Sequence, residues 1–163
     1  MSKNKQTYLV KLNASVITQY HQFYLCDSIA PGETASRKFW TDDAYNDRLA
    51  IENGIIGIGT ECYGPIKGEI EFLDHENINF DIANYDHIVE GGLIIQSDTM
   101  ILKGCPIPDP ILKIQIEPGN YRVRIYSSNL KSVEGDEGDD YYKIEIWPNS
   151  NMERKVLKRF ISN

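Results

Sequence analysis

Pro118-Gly119-Asn120-Tyr121-Arg122-Val123-Arg124-Ile125-Tyr126 runs through an acidic stretch, Ser127 to Asp140, into Tyr141-Tyr142-Lys143-Ile144-Glu145-Ile146-Trp147-Pro148. Pro118-Gly119-Asn120 is turn chemistry, because proline fixes φ while Gly and Asn tolerate positive φ. Tyr121, Val123 and Ile125 then alternate with Arg122, Arg124 and Tyr126, the period-two pattern of a strand with one buried face. The second arm repeats it, with Tyr142, Ile144 and Ile146 on one face and Tyr141, Lys143, Glu145 and Trp147 on the other. Arg122 and Arg124 against Glu145 on the outer faces suit an antiparallel pair, each such contact contributing a few tenths of a kcal/mol. The connection between the arms carries Glu134, Asp136, Glu137, Asp139 and Asp140 with two glycines. A connection that long is uncommon unless it is functional or unstructured.

Working back from this hairpin, the rest of the chain reads as short strands. Residues 1–6 form a weakly basic flexible tail, and 7–163 a single domain. Tyr8 to Val16 alternates apolar and polar residues, and Tyr20 to Leu25 is a second, aromatic strand. Asp27 to Lys38 is a loop built on Pro31-Gly32. Thr41 is a good N-cap, Asp42 and Asp43 suit the first turn of a helix, and Ala44, Leu49 and Ile51 supply an apolar face, predicting a helix over 42–51. Gly54 to Thr60 reads as a buried glycine-rich strand, and Ile66 to Phe72 as another. A phosphate loop is excluded there, since Gly57-Ile58-Gly59 has no third glycine, no following helical pattern and no Gly-Lys-Ser/Thr. Tyr85 to Ser97 predicts a hairpin turning at Glu90-Gly91-Gly92. Thr99 to Lys103 adds a short strand, Cys105 to Pro110 a proline-rich connector, and Leu112 to Ile116 a strand that delivers the chain to Pro118. Met152 to Asn163 turns basic, with Val156, Leu157, Phe160 and Ile161 apolar, and is read as a last edge strand in preference to a short helix. Nine or ten strands with one helix in 163 residues predict an all-β fold, an antiparallel β-sandwich with one short helix.

The net charge of −7 argues against a general nucleic-acid binder and fits solubility or a basic partner. Cys26, Cys62 and Cys105 are odd in number and show no C-x-x-C spacing, so three reduced thiols and a cytoplasmic location are expected. No apolar run is long enough for a membrane span. His21, His75 and His87 stand apart with no metal-binding spacing, and no serine sits in a G-x-S-x-G setting. Nothing points to catalysis or to a cofactor. The acidic stretch has three readings: a solvated loop, part of a two-loop calcium site, or a docking surface for a basic protein. Its residues do not match the spacing of an EF-hand loop.

Several stretches fall in an order that resembles a known family. They are Tyr20-His21-Gln22-Phe23, Trp40-Thr41-Asp42-Asp43-Ala44, Ala50 with the strand opening at Gly54-Ile55-Ile56, Glu90 to Ser97, and Pro118-Gly119-Asn120-Tyr121. Together they span about residue 8 to residue 126 and resemble the competence protein J family, also called Nin, the inhibitor of the DNA-entry nuclease. The resemblance implies a small bacterial protein that binds and inhibits a metal-dependent nuclease, or a related immunity protein against another toxin. On that reading the partner is a basic protein, a nuclease or toxin. Glu134, Asp136, Glu137, Asp139 and Asp140 would meet its nucleic-acid cleft, with Tyr126, Tyr141 and Trp147 as aromatic anchors. The alternative is a calcium- or ligand-binding β-sandwich.

Overall fold

The structure is a computed structural model that describes residues 8–12, 19–30, 34, 37–105 and 109–162. Chain order is β1 (Tyr8–Leu12), β2 (Gln22–Asp27), α1 (Asp42–Asp47), β3 (Leu49–Glu52), β4 (Ile55–Gly59) and β5 (Lys67–Phe72). There follow β6 (His87–Ile95), β7 (Thr99–Lys103), β8 (Leu112–Gln115), β9 (Gly119–Ser128), β10 (Tyr141–Pro148) and β11 (Lys155–Lys158). A six-stranded sheet, β1-β5-β10-β9-β6-β11, faces a five-stranded sheet, β3-β4-β2-β7-β8. All pairings are antiparallel except β5 with β10. The tail 1–6, Ala14 and Val16, Pro31-Gly32 and Pro106-Ile107-Pro108 lie outside the described residues.

The core between the sheets is built from alternate residues. Val123, Ile125, Ile144 and Ile146 from β9 and β10 meet Phe23, Leu25, Ile56 and Ile58 from β2 and β4. The other face of the five-stranded sheet is covered as well, with Tyr24, Cys26 and Ala50 packing against Phe39 and Ala44. That double burial explains why β4 is apolar without alternation.

The hairpin β9–β10 forms as the expected antiparallel pair, and its register places Glu145 opposite Arg124. Its outer face is not open to water. Arg122, Arg124, Tyr126, Glu145 and Trp147 are all buried, because residues 74–86 and 149–153 lie across them. Arg124 donates from Nη1 to Asn77 O at 2.9 Å, and Asn77 donates to Glu145 at 3.0 Å. The Phe80 and Tyr85 rings pack on Tyr126 at 5.3 and 4.7 Å. Arg124 finds its carboxylates on Glu90 and Glu76, while Glu145 accepts from the Tyr126 hydroxyl and pairs with Lys143.

Two expected elements are corrected. The helix does not reach residue 51. Thr41 caps it as expected, accepting from Ala44 N at 3.1 Å, but Arg48 enters the left-handed region at φ 61 and ends it. Leu49 and Ile51 then continue as β3 and turn at Asn53-Gly54, where Gly54 has φ +74, to pair with β4. The seven-residue spacing of Ala44 and Ile51 suits a helix and the two-residue spacing of Leu49 and Ile51 a strand, and the ladder with β4 decides between them.

Glu90-Gly91-Gly92 is likewise no turn, but the middle of the nine-residue β6. A Cβ at Gly91 would sit 2.5 Å from Ile51 Cδ1, and one at Gly92 would sit 2.5 Å from Met152 Cα. The glycines are there so that β3 side chains can cross one face of the strand and the C-terminal segment the other. β11 pairs with β6, bearing out the edge strand expected near the C-terminus.

Candidate functional site

The acidic connection is short of solvent freedom at both ends. Leu130–Ser132 is a 3-10 turn with Leu130 buried, and Glu134 and Glu137 exchange backbone hydrogen bonds of 2.9 and 3.4 Å around Gly135. Asp136 O accepts from Tyr63 N at 2.9 Å, and Lys67 donates to Gly138 O and Asp139. Glu134, Asp136, Glu137 and Asp139 are exposed. Asp140 is not: it is 1% exposed and accepts from the Tyr142 hydroxyl at 2.5 Å and from Cys62 N at 3.2 Å. Tyr142 also accepts from Glu61 N at 2.8 Å, so one buried phenol joins the 61–67 loop to the end of the acidic one. Burial and the Asp140 charge push this phenol well above its ordinary pKa. They also push the Cys62 thiol up to about 12. Asp140 therefore fastens the loop, while the other four carboxylates decorate it.

Of the three aromatics expected on the outer face, Tyr126 and Trp147 are buried at 1% and 2%. Tyr141 keeps part of its surface, with its hydroxyl donating to Glu69 at 2.8 Å. Tyr126 and Trp147 form a cage around a cation: the Arg124 guanidinium lies 5.9 Å from the Tyr126 ring centre and 4.9 Å from that of Trp147. Among the described residues no three His, Cys, Asp or Glu side chains converge as metal ligands.

The 61–67 loop leads from the acidic residues to a second feature that the pattern of the sequence did not disclose. A cleft of about 410 Å³ opens between α1, the turn before β2, the end of β4 and the C-terminal residues. Tyr20, Tyr45, Arg48, Glu61 and Phe160 are among its walls. Tyr63 stacks on His21, ring centres 4.2 Å apart, and His21 Nδ1 lies 2.8 Å from Glu61 O. Arg48 pairs with Glu61 and lies 5.4 Å above the Phe160 ring. Tyr20, His21 and Arg48 all have positive φ, of 68, 57 and 61°. For residues with a Cβ this costs on the order of 1 kcal/mol each, and such strain gathers where a structure has a use for it.

Behind the cleft, Phe160 N donates to Nδ1 of His87 at 3.1 Å, so Nε2 must carry the proton and donate to Asp47 O at 2.9 Å. Burial, with the charges of Arg48 and Arg159, lowers the His87 pKa to about 4. Asp47 also receives Arg154 at 2.7 Å and Arg159 at 2.5 Å, and its carboxyl is held below the usual range, hydrogen bonds to the two guanidinium groups outweighing its burial. The C-terminal segment is thereby fixed against the end of α1.

Sequence reasoning placed Tyr20 and His21 inside a strand and Arg48 inside a helix, so their convergence was invisible. The legible signal was Tyr45, a tyrosine next to Ala44, the buried position of a short helix, which can only face outward.

No protein-family model matches this chain, and no curated protein sequence does. Two solved structures share its fold. Crocagin biosynthetic gene J does so with a TM-score of 0.52 and 16% identity over 88% of this chain and 96% of its own. The order of motifs that resembles the competence protein J family agrees with the other: the chain has the fold of ComJ from Bacillus subtilis, the inhibitor of the DNA degrading activity of NucA, with a TM-score of 0.60 and 16% identity over 91% of this chain and 99% of ComJ.

Proposed function

We propose that this chain is a non-catalytic binding protein that inhibits a nuclease, or acts as an immunity protein against a related toxin, by covering a basic nucleic-acid cleft. The observation that carries this reading is the ComJ fold, shared along nearly the whole of both chains. Glu134, Asp136, Glu137 and Asp139 stand in for phosphates on the partner's surface, and Asp140 holds their loop in shape. Tyr141 contributes at the rim, while Tyr126 and Trp147 brace the hairpin from beneath by caging Arg124. A net charge of −7 steers such a partner and repels DNA itself.

The test is DNA degradation by NucA, and by nucleases of the host cell, measured against rising amounts of the purified protein. Suppression at one-to-one stoichiometry is expected with at least one of them; degradation untouched in every case overturns the reading. Where inhibition is found, converting the four exposed carboxylates to Gln or Asn should slow association. The deficit should fade as salt rises from about 0.1 M to about 1 M, where the Debye length shrinks from about 10 Å to about 3 Å. A deficit that appears only in the dissociation rate would exclude the loop as the steering element.

A further inference from the structure

Residues 74–84 lie across the outer face of β9 and β10 without burying any side chain of their own. Only Asn77 and Phe80 are even partly buried, while Ile78 and Ile82 face water at 78% and 45% exposure. The segment is tied at two posts: Leu73 N donates to Ile146 O at 2.8 Å, and Asp86 N to Ser127 O at 2.8 Å. Between the posts, among the described residues, no backbone-to-backbone hydrogen bond joins it to either sheet. Its own bonds, Asn84 N to Asp81 O and Tyr85 N to Ile82 O, close on the segment itself.

A few side-chain contacts hold it down. Asn77 makes the most of them: its carbonyl accepts from Arg124 at 2.9 Å, its Nδ2 donates to Glu145 at 3.0 Å, and its Oδ1 accepts from Asn79 N at 2.9 Å. Glu76, itself half exposed, pairs with Arg124 at 2.6 Å, and the Arg124 guanidinium lies 4.8 Å from the Phe80 ring centre. Lys158 reaches Ile82 O at 3.2 Å from the surface.

The layer beneath does not need a dry cover. Without the segment, Arg124 keeps Glu90 and the Tyr126 hydroxyl, and Glu145 keeps that hydroxyl and Lys143. Taking charges out of water is unfavourable, so wetting this layer restores hydration that the closed form lacks. Wetting the apolar core between the sheets would be opposed by the hydrophobic effect. Segments with little apolar burial are the ones that open ahead of the whole molecule.

We propose that residues 74–84 are a strap, latched by Asn77, which opens while both sheets stay folded and bares Arg124, Tyr126 and Glu145 as a second face of the molecule. The opening does not depend on whether the chain inhibits a nuclease.

Arg122 supplies the internal control. It lies on the same face of β9, but it donates to Asn151 O and Glu153 O, so the segment after β10 covers it and the strap does not. The probe is phenylglyoxal, which attacks accessible guanidinium groups, applied to the native full chain with the modified residues located by mass spectrometry. Arg124 should react ahead of Arg122. Asn77→Ala should speed Arg124 roughly ten-fold, because it removes a hydrogen bond to a charged group. Phe80→Ala should act in the same direction. Below the unfolding transition, the Arg124 rate should rise with urea at roughly a tenth of the slope of global unfolding, since only one short segment is exposed. Chymotrypsin should cut after Phe80 and leave a nicked protein whose circular dichroism matches that of the intact chain. Arg122 and Arg124 reacting in parallel, no reaction at Arg124 in Asn77→Ala, a urea slope equal to that of global unfolding, loss of the sheet spectrum on cutting, or an Asn77→Ala chain that does not fold would each overturn the proposal.

Discussion

Replacing Glu90 by alanine should destabilise the protein far more than its place in an acidic, glycine-rich stretch implies. Its carboxylate holds Arg122 Nη2 at 3.2 Å and Arg124 Nε at 2.8 Å, and both guanidinium groups are almost wholly buried. Removing one partner of a buried ion pair costs roughly 3–5 kcal/mol, because the surviving charge is left without compensation. Here the loss is shared. Arg122 keeps Asn151 O and Glu153 O, and Arg124 keeps Glu76 and Asn77 O. The lower end, about 3 kcal/mol, is therefore expected. At this chain length that lowers Tm by about 6–12 °C. Thermal unfolding at pH 7, followed by circular dichroism, reads it directly, with Glu137→Ala at an exposed position as the control that should stay within about 0.5 kcal/mol. Glu90→Gln, which keeps the shape, should fall between them. If Glu90→Ala melts with the control, Glu90 lies in a solvated turn and the buried charge layer is wrong.

The other expectations are smaller in scope. His87 has a pKa lowered from an ordinary value near 6.5 to about 4, so below about pH 6.5 the unfolded chain takes up a proton that the folded chain refuses. Its contribution is complete above pH 6.5 and falls away toward pH 4, by about 3 kcal/mol in all. His87→Gln should flatten the fall of Tm across that window, and an unchanged slope would remove His87 as its source. Among the thiols, Cys105 is half-buried while Cys26 and Cys62 are buried, with burial chiefly pushing the latter two up to about 11 and about 12. One thiol should react with an alkylating reagent in the native state and three after denaturation without reductant; fewer than three would mean a disulfide. Gly92→Val should cost several kcal/mol or detach the C-terminal segment, since the new side chain meets the Met152 backbone. Normal stability with protected amides at 155–158 would contradict that packing.

Local pattern was enough for the sandwich itself. Alternation in Tyr121–Tyr126 and Tyr142–Ile146 specified two strands and suited an antiparallel pair, which the structure forms with Arg124 opposite Glu145. Period-two spacing carries this because a strand's side chains alternate whatever surrounds it. The Thr41 cap was legible for a similar reason, since its partner is only three residues away. What the pattern could not convey was which polar faces would be covered. Arg122, Arg124, Glu145 and Glu90 read as a solvated surface and a turn, yet residues 74–86 and 149–153 close over them as a buried charge layer. Leu49 and Ile51 fit a helix until the ladder with β4 claimed them. The cleft lay beyond reach because its walls come from residues 20–22, 40–48, 59–61 and 160–162, and no local period connects them. Alternation is a property of neighbouring residues, whereas cover, strain and concavity belong to segments far apart in the chain, and only their packing brings them together.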